Sequence, residues 1–95
     1  MANYRIHRYI VDPADVDDLR ARRAALIEAI RAAFPGLLET RLIRLEDGTF
    51  IDAWRWDSAE HMRAALAAAP FPEAGPAWSL TREASSDDGV IVDER

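Results

Sequence analysis

"LLETRLIRLEDGTFIDAWRW", residues 37–56, holds two runs of alternating apolar and polar residues joined by Glu46-Asp47-Gly48-Thr49. An Asp-Gly pair between two such runs signals a β-hairpin, because the turn needs a residue that tolerates positive φ. The spacing predicts antiparallel strands over 37–45 and 50–56. The next stretch, "DSAEHMRAALAAAP", sets Asp57 and Glu60 at the D-x-x-E spacing of a capping box and stops at Pro70, which predicts a helix over 58 to about 69. Its inward positions are Met62, Leu66 and Ala69.

On the N-terminal side, "YRIHRYIV" (4–11) alternates and is rich in aromatic and β-branched residues, as a strand should be. Asp12 and Pro13 then supply an N-cap and a first-turn proline. Val16, Leu19, Leu26, Ile27, Ile30 and Phe34 recur at helical spacing until Pro35-Gly36 ends the run. Asp15, Asp17 and Asp18 near the start suit the helix dipole. Beyond Pro70, "PFPEAGP" (70–76) reads as a loop, "AWSLTREA" (77–84) as a fourth strand, "SSDDG" as a polar turn and "VIV" (90–92) as a short terminal strand. The domain expected is therefore 1–84, with 85–95 an acidic, solvated tail.

Composition narrows the chemistry. Ninety-five residues fit one domain, small enough that association is a common supplement to its core. There is no cysteine, which excludes disulfides, thiolate nucleophiles and Cys-ligated metal centres. All twelve basic residues are arginine, which excludes lysine Schiff-base chemistry and pyridoxal phosphate attachment. The net charge of −5 is concentrated from Glu83 onward, where five acids face Arg95 alone, so the body is nearly neutral. No basic patch suits a phosphate backbone, and no segment is apolar enough to be a signal peptide or a membrane span. The expectation is a cytoplasmic protein with neither nucleic acid nor membrane as partner.

The order βαββαβ is the ferredoxin-like pattern, an α+β fold with two helices on one face of a four-stranded antiparallel sheet. Alternation places Ile6 and Ile10 opposite Tyr9 and Val11, Ile51 and Ala53 opposite Phe50, Trp54 and Trp56, and Leu38 and Leu42 opposite Ile43 and Leu45. Two helices cover one face, so apolar residues on both predict a second sheet against the first. A homodimer supplies it most simply, tempered by Arg8, Arg41 and Arg55.

With these elements in place, "FPGLLETRLIRLEDGTF" followed by "WRWDSAEHMRAAL" and a proline-bounded loop resembles the antibiotic biosynthesis monooxygenase family of dimeric α+β barrels, over roughly residues 4–84. The most telling piece is Trp56-Asp57-Ser58 at the strand-to-helix junction. The resemblance implies a dimeric barrel with a cleft between sheet and helices, bounded here by Trp54, Trp56, Met62 and Trp78. It also implies cofactor-independent oxygenation of an aromatic, quinol or polyketide-like molecule, in which the deprotonated substrate itself reduces dioxygen. The quinol oxygenases carry an asparagine where this chain has Asp52 and a tyrosine where it has Met62. A second branch degrades heme; its strand-one asparagine falls at His7, and its iron-ligating histidine falls where this chain has only alanines, so heme degradation is the less favoured implication.

The resulting candidates are His7, Asp52 and Trp56 as catalytic residues and Tyr9, Trp54, His61, Met62, Trp78 and Arg82 as substrate contacts. Each also has a purely structural reading. The tryptophans can be core. An acid among them could take a proton from a phenol, or Asp52 could pair with Arg55, Arg41 or Arg82. His7 could act as a base near neutral pH or serve as a hydrogen-bonded sheet residue. His61 rims the cleft or faces water, Ser58 is a first-turn helix residue, and Arg82 either stabilises an anion or pairs with an acid. No histidine spacing suits a metal, and no cofactor is expected. The competing function is a non-catalytic, dimeric small-molecule-binding or stress-response module that keeps the barrel without the reaction.

Overall fold

A computed structural model of the chain describes residues 2–68 and 70–95. Ala69, expected as an inward helix position, lies outside the described residues. The elements are β1 (Asn3–Val11), α1 (Val16–Ala33), β2 (Leu37–Arg44), β3 (Phe50–Trp56), α2 (Ala59–Ala67), α3 (Ala74–Trp78) and β4 (Thr81–Val90), with a 3-10 turn at Pro13–Asp15 leading into α1. The four strands form one antiparallel sheet in the order β2-β3-β1-β4. This is the ferredoxin-like arrangement, with both main helices packed on one face.

Local chemistry explains most boundaries. Asp12 accepts a hydrogen bond from the Ala14 N–H at 2.9 Å and so opens the helical region. In the hairpin, Gly48 takes φ +88°, while Asp47 accepts from the Thr49 N–H at 2.9 Å. The cap of α2 is Ser58, whose Oγ accepts from the His61 N–H at 3.1 Å. Asp57, expected in that role, instead meets His61 Nδ1 at 2.7 Å. Gly36 lets the β2 entry approach this junction closely: its carbonyl accepts from the Asp57 N–H at 2.9 Å, and a Cβ there would lie 2.8 Å from Asp57 Oδ1.

Three expectations need correcting. A β-bulge between Leu37 and Glu39 puts Leu37, not Leu38, on the helix-covered face, so Leu38 is exposed while Leu42 stays inward. The segment expected as a strand from 77 begins instead as α3, whose Pro76 sits in a first turn where its missing N–H costs nothing. Lastly, 85–89 is not a turn and 90–92 is not a separate strand: β4 continues through to Val90, because Asp88 accepts from Arg5 at 3.0 Å and Ser86 meets His7 at 2.9 Å across the strand pair. Tertiary partners here outweigh the poor strand propensity of Ser, Asp and Gly.

The covered face carries two connected cores. Leu26, Ile27, Ile30, Leu37, Trp54, Trp56, Met62 and Ala77 form the larger, and Tyr9, Val11, Leu19 and Phe50 the smaller. Trp78 packs against both. The opposite face presents Tyr4, Ile6, Arg8 and Ile10 beside Ile51, Ala53 and Arg55 and, further out, Ile43 and Arg41. Ile6 and Ile43 remain 39% and 46% exposed, so among the described residues this face leaves apolar side chains uncovered beside its arginines, of which Arg55 pairs with Glu94 at 2.8 Å.

Candidate functional site

Period-two alternation puts Asn3, Arg5, His7, Tyr9 and Val11 on the helix-covered face, where strand register sets each beside a β3 residue. Asn3 lies opposite Trp56, Arg5 opposite Trp54, His7 opposite Asp52 and Tyr9 opposite Phe50. On the other side of β1, Arg5 faces Asp88 and His7 faces Ser86. The rows grade from polar near Arg5 and His7 to apolar at Tyr9 and Phe50.

Between this face and the helices lies a cavity of about 280 Å³. Arg5 and His7 form its floor with Trp54 and Trp56, α1 contributes Leu26 and Ile30, and Phe71 and Trp78 close one side from the loop and α3. The volume is near the lower end for small-ligand sites, and a wall of aromatic and aliphatic side chains with a few polar groups suits a flat apolar molecule. His7 is wedged between indoles, with ring centroids 5.2 Å from Trp78 and 5.8 Å, edge-on, from Trp54. Its Nδ1 meets Ser86 Oγ at 2.9 Å. Burial holds its pKa below the ordinary 6.5; the Asp52 carboxylate opposes this, Arg5 and Arg23 reinforce it, and Asp88 opposes it. His7 therefore meets the cavity as a neutral imidazole at pH 7, in the form that accepts a proton.

Asp52 is fully buried and belongs to a closed cluster behind that floor. It accepts from Tyr9 Oη–H at 2.7 Å, from Trp54 Nε1–H at 2.8 Å and from Arg23, whose Nε and Nη2 reach both oxygens at 2.8–3.1 Å. Its partner is thus Arg23 on α1 rather than Arg55, Arg41 or Arg82. Burial and the neighbouring carboxylate push the Tyr9 phenol well above its ordinary range, so Tyr9 stays a donor. By fixing the Trp54 indole, the cluster fixes one wall of the cavity.

The remaining candidates scatter. Trp54, Trp56 and Trp78 line the cavity; Met62, expected to bound it, does not, and is instead buried in the larger core with its sulfur 3.7 Å from Asn3 Nδ2. Tyr9 lines a separate pocket of about 220 Å³ that shares His7 and Trp78 with the main cavity. His61 is exposed and paired with Asp57, away from the cavity lining. Arg82 lies opposite Ile10, on the other face of the sheet from Trp78. Sequence reasoning missed Arg5, Ser86 and Asp88 around the cavity and Arg23 behind it. Arg5 shared the strand period of His7 and Tyr9. Arg23 stands four residues from both Leu19 and Ile27, an arginine within the apolar stripe of α1. Among the described residues no three His, Asp or Glu side chains gather as a metal site, and no helix is long and apolar enough to cross a membrane.

No protein-family model and no curated protein matches the sequence. Solved structures do match the fold across nearly the whole chain. SnoaB, a cofactor-independent oxygenase from Streptomyces nogalater, is 25% identical, with 99% of this chain and 94% of that one covered and a TM-score of 0.66. A Caulobacter crescentus protein described as a candidate antibiotic biosynthesis monooxygenase reaches a TM-score of 0.76 at 17% identity, covering 97% of this chain and 91% of its own. Rv0793 from Mycobacterium tuberculosis is 22% identical over 99% and 98% of the two chains, with a TM-score of 0.69. The cavity between sheet and helices is thus carried by a chain whose fold is that of the antibiotic biosynthesis monooxygenase structures.

Proposed function

We propose that this protein is a cofactor-independent monooxygenase that oxidises a reduced aromatic phenol or quinol in the cavity floored by His7, Trp54 and Trp56. The observation that carries the reading is the His7 imidazole held between the Trp54 and Trp78 rings on the wall of a largely apolar cavity, where burial lowers its pKa. His7 takes the phenolic proton, and the electron-rich phenolate transfers an electron to dioxygen. The resulting radicals couple at the ring carbon para to the oxygen. The imidazolium returns its proton to the peroxide, and loss of water leaves a quinone. Phenol and dioxygen thus give quinone and water, with dioxygen the only oxidant. Trp54, Trp56 and Trp78 hold the ring and exclude water.

Asp52 acts here as a positioning residue, since four donor groups engage its two oxygens and Arg23 balances its charge. A second chain completes the assembly: the unpaired sheet face with Ile6, Ile43 and Ile51 supports a homodimer in which the patch covers its own copy. The occupied state of Asp52 also favours one other reading, a binding module that keeps the cavity without turnover. Dioxygen consumption with 1-naphthol and a panel of reduced polycyclic phenols, with no added cofactor, separates the two. Turnover that falls at least a hundredfold in His7→Gln supports the monooxygenase, whereas saturable binding with unchanged ligand supports the module.

A further inference from the structure

Away from the cavity, an open groove of about 840 Å³ runs between the first half of α1 and strands β2 and β3. It shares no lining residue with the cavity. Three guanidiniums far apart in sequence meet there. Arg20 and Arg23 stand one turn apart on α1, and Arg44 lies across from them on β2, on the same strand face as Leu42. Register sets Arg44 beside Phe50, and its guanidinium carbon lies 5.2 Å from the ring centroid, so cation–π attraction keeps the charge over the groove. Arg23 is already half engaged. Its Nε and Nη2 bond Asp52 at 2.8–3.1 Å, which fixes the plane of a guanidinium whose side chain is 13% exposed. Its Nη1 has no partner among the described residues and is not one of the donors shut away from solvent, so it opens onto the groove that Arg23 lines. The other two charges are free. Arg44 has no acid within ion-pair distance among the described residues, and the acid paired with Arg20, Asp17, stands 3.9 Å away with both side chains largely exposed, an arrangement worth little.

We propose that this groove binds the phosphate of a small organic phosphate monoester. A carboxylate has two oxygens, which a single guanidinium fork fills, whereas a phosphate monoester presents three terminal oxygens and a charge of about −2 above neutral pH. Arginines arriving from a helix and a strand suit a tetrahedral group, and the unbalanced charges of Arg20 and Arg44 suit a dianion. Arg23, balanced by Asp52, adds a fixed donor without adding net charge. Val16 and Leu42, half-buried beside them, offer a surface to a short alkyl ester. The site stands independently of the reaction proposed for the cavity.

NMR titration of the full chain at pH 8 and fixed ionic strength tests this with three probes: n-butyl phosphate, n-butyl sulfate, which keeps the tetrahedron with a single charge, and pentanoate. Saturable amide shifts should centre on Arg20, Arg23, Leu42 and Arg44, and the phosphate should bind about fivefold tighter than either monoanion. Arg20→Gln and Arg44→Gln alter exposed side chains outside the core, and the amide spectrum itself reports that each variant is folded. Each should weaken the phosphate about fivefold, near the upper end for an exposed ion pair. Arg41→Gln, on the opposite face of β2, should change it by less than about twofold. Equal affinity for the three anions, or phosphate binding unmoved by Arg20→Gln and Arg44→Gln, overturns the assignment. The absence of saturable shifts in the groove overturns it too, as do shifts centred on His7 and Trp54, which would put the alkyl chain in the cavity instead.

Discussion

Replacing Asp52 by asparagine tests whether this acid holds the site together or reacts in it. The wild-type carboxylate is fully buried and takes hydrogen bonds from Tyr9, Trp54 and Arg23, whose own side chain is 13% exposed. An asparagine in its place would keep one acceptor oxygen for three donor residues, turn an amide NH₂ toward them, and leave the guanidinium without a counter-charge in a dry setting. Breaking a buried pair in this way costs about 3–5 kcal/mol. For a domain of this size each kcal/mol moves Tm by about 4–8 °C, so a fall of roughly 12–40 °C is expected. Arg23→Met should cost a similar amount, because it strands the carboxylate instead. The double variant Asp52→Asn/Arg23→Met should lose no more than either single one, since neither stranded charge remains. Urea unfolding followed by circular dichroism reads all three. Strictly additive losses, or a loss below about 1 kcal/mol for Asp52→Asn, would refute the coupled cluster. Kinetics add an independent arm: because Asp52 raises the His7 pKa while Arg23 lowers it, Asp52→Asn, measured cold where it is still folded, should shift the acid limb of turnover downward. Loss of turnover at every pH in that folded variant would instead make Asp52 the base.

The same geometry sets other outcomes. With His7 as base and its pKa held below 6.5 by burial, kcat/KM should be flat through neutral pH and fall as pH drops through that lowered pKa; a limb centred above 6.5 would contradict the assignment. Ile6→Lys sets a charge in the middle of the unpaired sheet face and should convert a dimer to a species near the 10.7 kDa chain mass by light scattering, whereas a monomeric wild type would remove the proposed partner copy. Gly36→Ala forces a methyl to within 2.8 Å of Asp57 Oδ1 and 3.0 Å of His61 Cβ, with an expected cost of about 1–3 kcal/mol in thermal unfolding. Its rescue by Asp57→Ala would identify that contact as the cause.

The hairpin, the two long helices and the order of strands were legible because they rest on local signals: Asp47-Gly48 sets a turn, and the apolar stripe of α1 has one period. The segment 70–90 was not. A short apolar run such as "AWSL" suits a helical turn as well as a strand, and nothing local shows that Asp88 and Ser86 will find partners on β1. Trp78 accordingly enters the cavity from α3 rather than from a strand, and Arg82, placed beside it by alternation, lies on the opposite face. The strand faces that carry His7 and the two tryptophans were readable because β1 and β3 alternate cleanly, but the register that brings them together was not. Asp52 was readable as buried, but its partner lay on a helix whose register against the sheet no strand pattern reveals.

That helix-to-sheet register gives the cavity its character. Arg23 interrupts an apolar stripe that would otherwise pack directly on β3, and such an interruption persists only where an acid meets it. Asp52 supplies the acid. The Trp54 N–H and Tyr9 O–H then fill its remaining lone pairs, so the indole is held by a hydrogen bond as well as by packing. Replacing the pair by apolar residues is often neutral or favourable for stability in other proteins, but here it would also release Trp54 and Tyr9 from their shared acceptor. The expected signature is therefore a split: an apolar double replacement such as Arg23→Met/Asp52→Leu can recover folding while weakening ligand affinity in the cavity. A variant that regained stability and bound as tightly as the wild type would show that packing alone orients the indole, and that the buried charges are incidental to the site.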